Sequence, residues 1–371
     1  MFWVRYTVFG YRGSVRCSIG GEDEQRLRPF IAALEAGVGR GFRFKRKTSG
    51  AALKKSNAFG LEPIRSVYHP LWFYVIIGGL ELYHQRFTLR RLGFTSLEGL
   101  QRSNAYRQGC RVLCKISADS RPIVFIHGLG AGLFPYKDVL RRISILGRTV
   151  VLVYIPQISM THAYETPVNE SICELIQLAL ANIAGSGGRR RRSVVEVDVV
   201  ANSFGTCVAS TLVARNRESS TGIRLLCRHL LLIDPVSIAL ISPDLTARFV
   251  YDRRYAAVVD FIVRSEIHIM YCIQRRFDWM DSFISPVMTL VDRTVTPDCD
   301  RRDLNNQRIG PRINLKIYVA SNDAMVNLER FTRVLQVCFP PQAEVTIMDD
   351  TTHGQWIAKE KYIQMVINDL S

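Results

Sequence analysis

The sequence predicts an α/β protein: a mostly parallel sheet with helices on both faces and a helical insertion near its end. Three observations carry that expectation. Short apolar runs alternate with longer helical patterns from Arg121 onward, the signature of a parallel sheet buried on both sides. Nearly every apolar run stops at a polar or Gly-containing turn. One of them, Val194–Gly205, is a β-branched run that breaks at Ser203 and passes directly into a helical pattern, Thr206–Asn216.

The elements follow in order. Residues 1–60 show little periodicity and read as a poorly structured basic segment. Its first acid is Glu22, after Arg5, Arg12 and Arg16, which fits either an organellar transit peptide or a floppy N-terminus. Gly39–Lys55 is basic and suits a linker. Residues 61–120 read as an N-terminal helical region. Its apolar stretch Tyr68–Leu82 has no charge between Leu71 and Leu80, too short for a bilayer span of roughly 20 residues. With Trp72, Phe73 and Tyr74, and Arg86, Arg90 and Arg91 behind, it fits an interfacial helix or a helix packed on the main domain. Leu97–Cys114 reads as a further helix or connector.

Residues 121–237 and 312–371 form the expected α/β core. Strands are predicted at Pro122–Ile126, Thr149–Ile155, Val194–Val200, His229–Ile233, Asn314–Ala320 and Glu344–Met348. Helices are predicted at Tyr136–Leu146, Val168–Ile183, Thr206–Asn216 and Gln355–Leu370. Residues 238–311 break the alternation with a long helical pattern, chiefly Arg253–Phe277, rich in aromatics. An insertion there would lie over the carboxyl edge of the sheet as a lid.

Parallel sheets carry their sites at the carboxyl ends of the strands. Ser203, Asp323 and His353 each follow a predicted strand. A serine hydroxyl needs a base to activate it, and the base needs a carboxylate to fix its tautomer. Strand, tight turn bearing Ser, then helix is the geometry of a nucleophile elbow. It demands small residues two before and two after the Ser; here they are Ala201 and Gly205. Oxyanion donors would be the amides of Phe204 and of Leu129 in the turn His127-Gly128-Leu129-Gly130.

These motifs, with Ser321–Val326 and Thr352-His353-Gly354, resemble the α/β-hydrolase family over about Arg121–Ser371. Members often carry His immediately before the nucleophile, where this chain has Asn202. Ile126–Gly130, Pro156–Met160, Leu232–Val236 and Arg276–Trp279 resemble a poorly characterised group of fungal-type eukaryotic members, which brings no assigned substrate. The resemblance implies a serine hydrolase acting on an ester or related acyl bond, with Ser203 attacking, His353 moving the proton and Asp323 orienting it. Acyl transfer uses the same groups, and a non-catalytic scaffold of this fold is the alternative from another class.

Each residue also has a plainer reading. Ser203 could simply start a helix, and Asp323 could cap one. Asp234 is the rival acid, though its Asp-Pro setting reads as structural; Asp349 and Asp350 lie close in sequence to His353. His127 reads as a structural turn residue, and His162, His229 and His268 have no partner pattern. No His/Cys/Asp cluster has metal-ligand spacing, so neither metal nor cofactor is expected. Arg189–Arg192 reads as a solvated loop, with phosphate head groups as the lesser alternative.

The formal net charge is +16, yet the basic residues are scattered and no zinc-finger or RNA-recognition signature is present, so no nucleic-acid partner is expected. The nine Cys form no C-x-x-C pair. Cys173, Cys207, Cys227, Cys272 and Cys338 fall in apolar stretches and read as buried thiols of a reducing, intracellular compartment, organellar or membrane-associated. The expected partners are a small apolar or lipid-like ester and a membrane surface; the sequence is silent on oligomeric state.

Overall fold

The computed structural model describes residues 63–64, 66–67, 69–117, 121–161, 167–185, 194–214, 223–240, 245, 247–252, 258–277, 282, 313–338 and 343–371. The expectations for residues 1–60, for His162, for Arg189–Arg192 and for much of 238–311 lie outside the described residues.

Among the described residues eight strands form one sheet: β1 Thr95–Ser96, β2 Arg111–Lys115, β3 Ile123–Ile126, β4 Val150–Tyr154, β5 Val194–Asn202, β6 Arg224–Ile233, β7 Asn314–Ala320 and β8 Glu344–Met348. Their order is β1-β2-β4-β3-β5-β6-β7-β8. β2 runs antiparallel to both β1 and β4, and every other pairing is parallel.

The central strands are buried on both sides because their residues are apolar in succession. Val124 and Ile126 join Val151 and Val153 in a core with Ile172, Ile176, Val208 and Leu212. Those four belong to helices α4 (Asn169–Gly185) and α5 (Gly205–Ala214). The alternate residues Ile123, Phe125 and Leu152 pack with Leu140, Ile143, Ile363 and Val366 on the opposite face. These come from α3 (Lys137–Ser144) and α10 (Glu360–Asn368). The period of two thus divides each strand between two helical layers.

The sheet extends further toward the N-terminus than the sequence suggests. Leu97–Cys114, read as a helix or connector, contains one short helix, α2 (Asn104–Arg107), and then enters β2. Its three central residues are all buried while Arg111 and Lys115 at the ends are half-buried. That covers any alternation, and the charged ends hide a strand so short. The long helical pattern Arg253–Phe277 is also divided. Among the described residues it yields α7 (Val258–Ser265) and α8 (Ile267–Tyr271), followed by a π turn at Cys272–Arg276. Glu266 separates the two helices in an extended conformation and caps α8 by accepting from Ile269 N.

The apolar stretch near the N-terminus is helix α1 (Leu71–Tyr83), which continues through a π segment at His84–Leu89. Among the described residues, no helix is long and apolar enough to cross a membrane. Cys173, Cys207, Cys227 and Cys272 are buried thiols outside any disulfide; the side chain of Cys338 is outside the described residues.

Candidate active site

Four polar residues follow successive strands at one edge of the sheet. Backbone pairing runs on past the strand ends and fixes their places. Ser203 N donates to Ile233 O, Asp234 N to Tyr318 O and Ser321 N to Met348 O. Ser203 therefore sits just past β5, Asp234 past β6, Asp323 past β7 and His353 past β8.

Ser203 occupies a strained turn, with φ of 49°, where an L-residue with a Cβ is uncommon. The helix starts at once: Thr206 N donates to Ser203 O, and Cys207 N to Phe204 O. Gly205 permits this close approach. A Cβ there would meet Ile126 O at 2.4 Å and His127 O at 2.7 Å, both backbone atoms. Ala201 is fully buried at the end of β5.

Ser203 Oγ lies 2.7 Å from His353 Nε2, and His353 Nδ1 lies 2.7 Å from Asp323 Oδ2. Asp323 uses its other oxygen to accept from Met325 N (2.8 Å) and Val326 N (3.0 Å). It therefore caps its own loop and faces His353 together, so the two readings of this residue coexist. Burial opposes the Asp323 charge, but His353 and the two amides outweigh it and hold the carboxyl below its usual range. Burial likewise opposes an imidazolium at His353. Asp323, with Asp234 and Asp260 behind it, reverses that and raises His353 to about 9. Ser203 is buried, only 6% exposed.

Asp234, the rival acid, is turned elsewhere. Its Oδ1 accepts from Ala320 N at 2.9 Å and its Oδ2 from Gly354 N at 2.7 Å. It thus clamps the loop of His353 to the end of β7. Burial, aided by the Asp323 charge, pushes its carboxyl up to about 6 against the pull of His353 and these amides.

Asp234, Asp323 and His353 also bring three ligating atoms within 4.8 Å of one another, a cluster that sequence spacing did not suggest. A metal fits it poorly. Both carboxylates already accept backbone amides, and both imidazole nitrogens are engaged, one with Asp323 and one with Ser203.

The turn after β3 abuts the elbow. A Cβ on Gly128 would come within 2.9 Å of Asn202 Nδ2 and Ser203 Cβ. Gly128 N donates to Tyr136 OH (3.1 Å) and Gly130 N to Ile158 O (3.0 Å). The amide of Leu129 lies between these two committed donors. The amide of Phe204 opens α5, where helix N–H groups have no intrahelical acceptor. His127 is structural: its Nε2 accepts from Ile155 N (3.0 Å), so Nδ1 carries the proton and donates to Gly128 O (2.8 Å). Burial lowers it to about 4, so the ring is neutral and pins the turn to β4.

A buried network was not visible in the sequence. Asn202 donates to Tyr136 OH (2.8 Å) and accepts from Trp356 Nε1 (2.8 Å). Its only sequence signal was the departure from His at that position. His268 and His229, read as having no partner, each sit beside an acid: His268 Nδ1 is 2.8 Å from Glu266 Oε1, and His229 Nδ1 is 3.9 Å from Asp198 Oδ2. Glu266 is two residues from His268, across the break between α7 and α8, whereas Asp198 lies 31 residues from His229 on the neighbouring strand.

A sheet with this strand order, β2 antiparallel between β1 and β4 and the rest parallel, and Ser at a strained strand-to-helix turn after β5 define one architecture. The chain has the α/β-hydrolase fold. No protein-family model matches it, and no curated protein matches it. Solved structures with similar layouts include an esterase of Pyrobaculum calidifontis (14% identity, 80% of this chain and 90% of that one, TM-score 0.47). A putative esterase from Staphylococcus aureus (16% identity, 84% and 97%, TM-score 0.45) and naproxen esterase from Bacillus subtilis (11%, 80% and 98%, TM-score 0.42) are others. At these TM-scores the fold rests on the strand order and the elbow, not on the likeness.

Proposed function

We propose that the protein is a serine hydrolase that cleaves a carboxylic ester or related acyl bond. The observation that carries this is the continuous chain from Ser203 Oγ to His353 to Asp323, with both links at 2.7 Å. Ser203 Oγ attacks the carbonyl carbon and gives its proton to His353 Nε2. Asp323 holds Nδ1–H and offsets the imidazolium charge. The amides of Leu129 and Phe204 receive the oxyanion. The tetrahedral species collapses, the alcohol departs with the proton from His353, and Ser203 is left acylated. A water, deprotonated by His353, then releases the acid and restores Ser203.

An apolar acyl group is the substrate class that suits the surroundings. Phe204 and Phe277 bring their rings within 5.5 Å of each other beside the elbow, and Arg248 reaches from the 238–311 segment to Ala324 O near Asp323. These contacts support reading residues 238–311 as a lid over a core of 121–237 and 312–371. The motifs Ile126–Gly130 and Leu232–Val236 support a place among the fungal-type members of the family.

The test is labelling with a fluorophosphonate probe, followed by an ester panel of graded chain length. Wild type is expected to label and Ser203→Ala to stay unlabelled. A folded wild type that neither labels nor turns over any ester would sink the proposal in favour of a binding scaffold. Turnover that appears only with an added alcohol acceptor would make it an acyltransferase.

A further inference from the structure

Helix α1 and its continuation to Arg91 present two different faces. The inner face is bonded to the rest of the molecule at both ends. Tyr74 OH donates to Glu266 Oε1 (3.0 Å) and Val67 N donates to Ser265 O (2.9 Å), which ties it to the junction of α7 and α8. Farther along, Glu81 is buried and accepts from Phe134 N (2.8 Å) and Gln85 Nε2 (2.6 Å). Phe134 lies just beyond the His127–Gly130 turn, and Gly132 touches the same carboxylate closely enough that a Cβ would meet it at 2.9 Å.

The outer face is apolar and open. Trp72 is 63% exposed, Val75 64%, Ile76 51%, Tyr83 58% and Phe87 54%. Their spacing puts them on one side of the helix. Contiguous exposure of this kind on one element marks an interaction surface. The only charges on the exposed side are Arg86, Arg90 and Arg91, gathered at one end; the only acid between Leu71 and Arg91 is the buried Glu81.

We propose that this outer face docks on an anionic lipid bilayer, laying Trp72, Val75 and Ile76 into the interface and Arg86, Arg90 and Arg91 against its phosphates. Aromatic and aliphatic side chains with a cationic, acid-free flank are what an interfacial helix needs. A second copy of the chain fits less well, because it would bring the same acid-free face and leave the arginines without a counter-charge. Residues 1–62 fit less well for a related reason, carrying more Lys and Arg than Asp and Glu themselves. Docking would place a bilayer-held ester beside the two elements that α1 braces. That last step rests on the hydrolase reading; the docking does not.

The experiment uses the full chain in co-sedimentation with phosphatidylcholine vesicles, with and without phosphatidylserine. Wild type and Ser203→Ala are both expected to bind, more tightly with phosphatidylserine. Replacing Arg86, Arg90 and Arg91 by Gln is expected to weaken binding to the anionic vesicles by about 100-fold. Val75→Glu with Ile76→Glu is expected to abolish binding while hydrolysis of a short soluble ester stays unchanged, a control for folding. Variants that bind like wild type overturn the proposal. So does a wild-type dimer that Ile76→Glu converts to a monomer, or binding seen only after residues 1–62 are removed. A wild type that binds vesicles yet cleaves no ester upholds the docking surface and overturns the hydrolase reading.

Discussion

Asn202 accepts a hydrogen bond from Trp356 Nε1 at 2.8 Å, joining the residue before Ser203 to the turn that follows His353. The other end of the same amide donates to Tyr136 OH, which also accepts from Gly128 N. One buried side chain therefore links the elbow, the loop that carries His353 and the turn at Gly128. The orientation of the amide is settled by its partners, since an indole N–H can only donate. Asn202→Ala leaves Trp356 without an acceptor in a dry site. The expected loss is about 1–3 kcal/mol of stability for the unpaired donor, read from denaturant midpoints. With the base loop loosened, kcat should fall more than KM rises. A variant with wild-type stability and wild-type kcat would show that the network is idle.

The raised His353 gives the pH profile a direction. Catalysis needs the neutral imidazole, so kcat/KM should rise with pH along a limb displaced above the ordinary 6.5, toward about 9. A limb centred at or below 6.5 would contradict the assignment. Stability runs the opposite way. The folded His353 is raised, so its contribution is complete below about 6.5 and disappears as pH climbs through about 9. Asp323 is lowered, so its contribution is present above the ordinary carboxylate range and disappears as acid protonates it. Thermal melts across pH check both signs.

Much of this arrangement was legible in the sequence because the chemistry sits where strands end. Val194–Val200, Asn314–Ala320 and Glu344–Met348 are short runs rich in β-branched and other apolar residues. Each runs into a turn that carries a residue the structure brings to one sheet edge: Ser203, Asp323 and His353. β2 was not legible, since five residues with charged ends and no alternation carry no period. Nor was the Asn202 network, whose partners lie 66 and 154 residues away; contacts that distant leave no local pattern. Asp234 and Asp323 both follow strands; the Asp-Pro setting of Asp234 already read as structural, and the direction of their oxygens separates the two.

That separation predicts two different mutants. Asp323→Asn keeps the shape but loses the charge facing His353 Nδ1, and kcat should fall by about 10⁴-fold with modest loss of stability. Asp234→Asn turns an NH₂ toward either Ala320 N or Gly354 N, both of which donate. The expected cost is about 1–3 kcal/mol of stability from the mispaired donors, with most of the activity kept in the folded fraction. Labelling rates and melts on the two proteins decide the matter. If Asp234→Asn were the dead enzyme and Asp323→Asn the weakened fold, the acid would have to be reassigned.

The two small residues flanking Ser203 are not equivalent, and that also can be tested. A methyl on Gly205 would be driven into Ile126 O and His127 O, and these belong to a central strand and its turn. Neither can yield without moving β3 or the His127–Gly130 turn. Gly205→Ala should cost about 1–3 kcal/mol or more, and should slow labelling of Ser203 even where the protein remains folded. Ala201 already packs its methyl in the core, fully buried. Ala201→Gly removes that methyl and adds backbone freedom in a strand, at a cost of about 0.5–1 kcal/mol. Its labelling rate should match wild type, because the elbow needs a small residue there and not the absence of a side chain. Faster labelling in Ala201→Gly would mean instead that the methyl restrains the nucleophile.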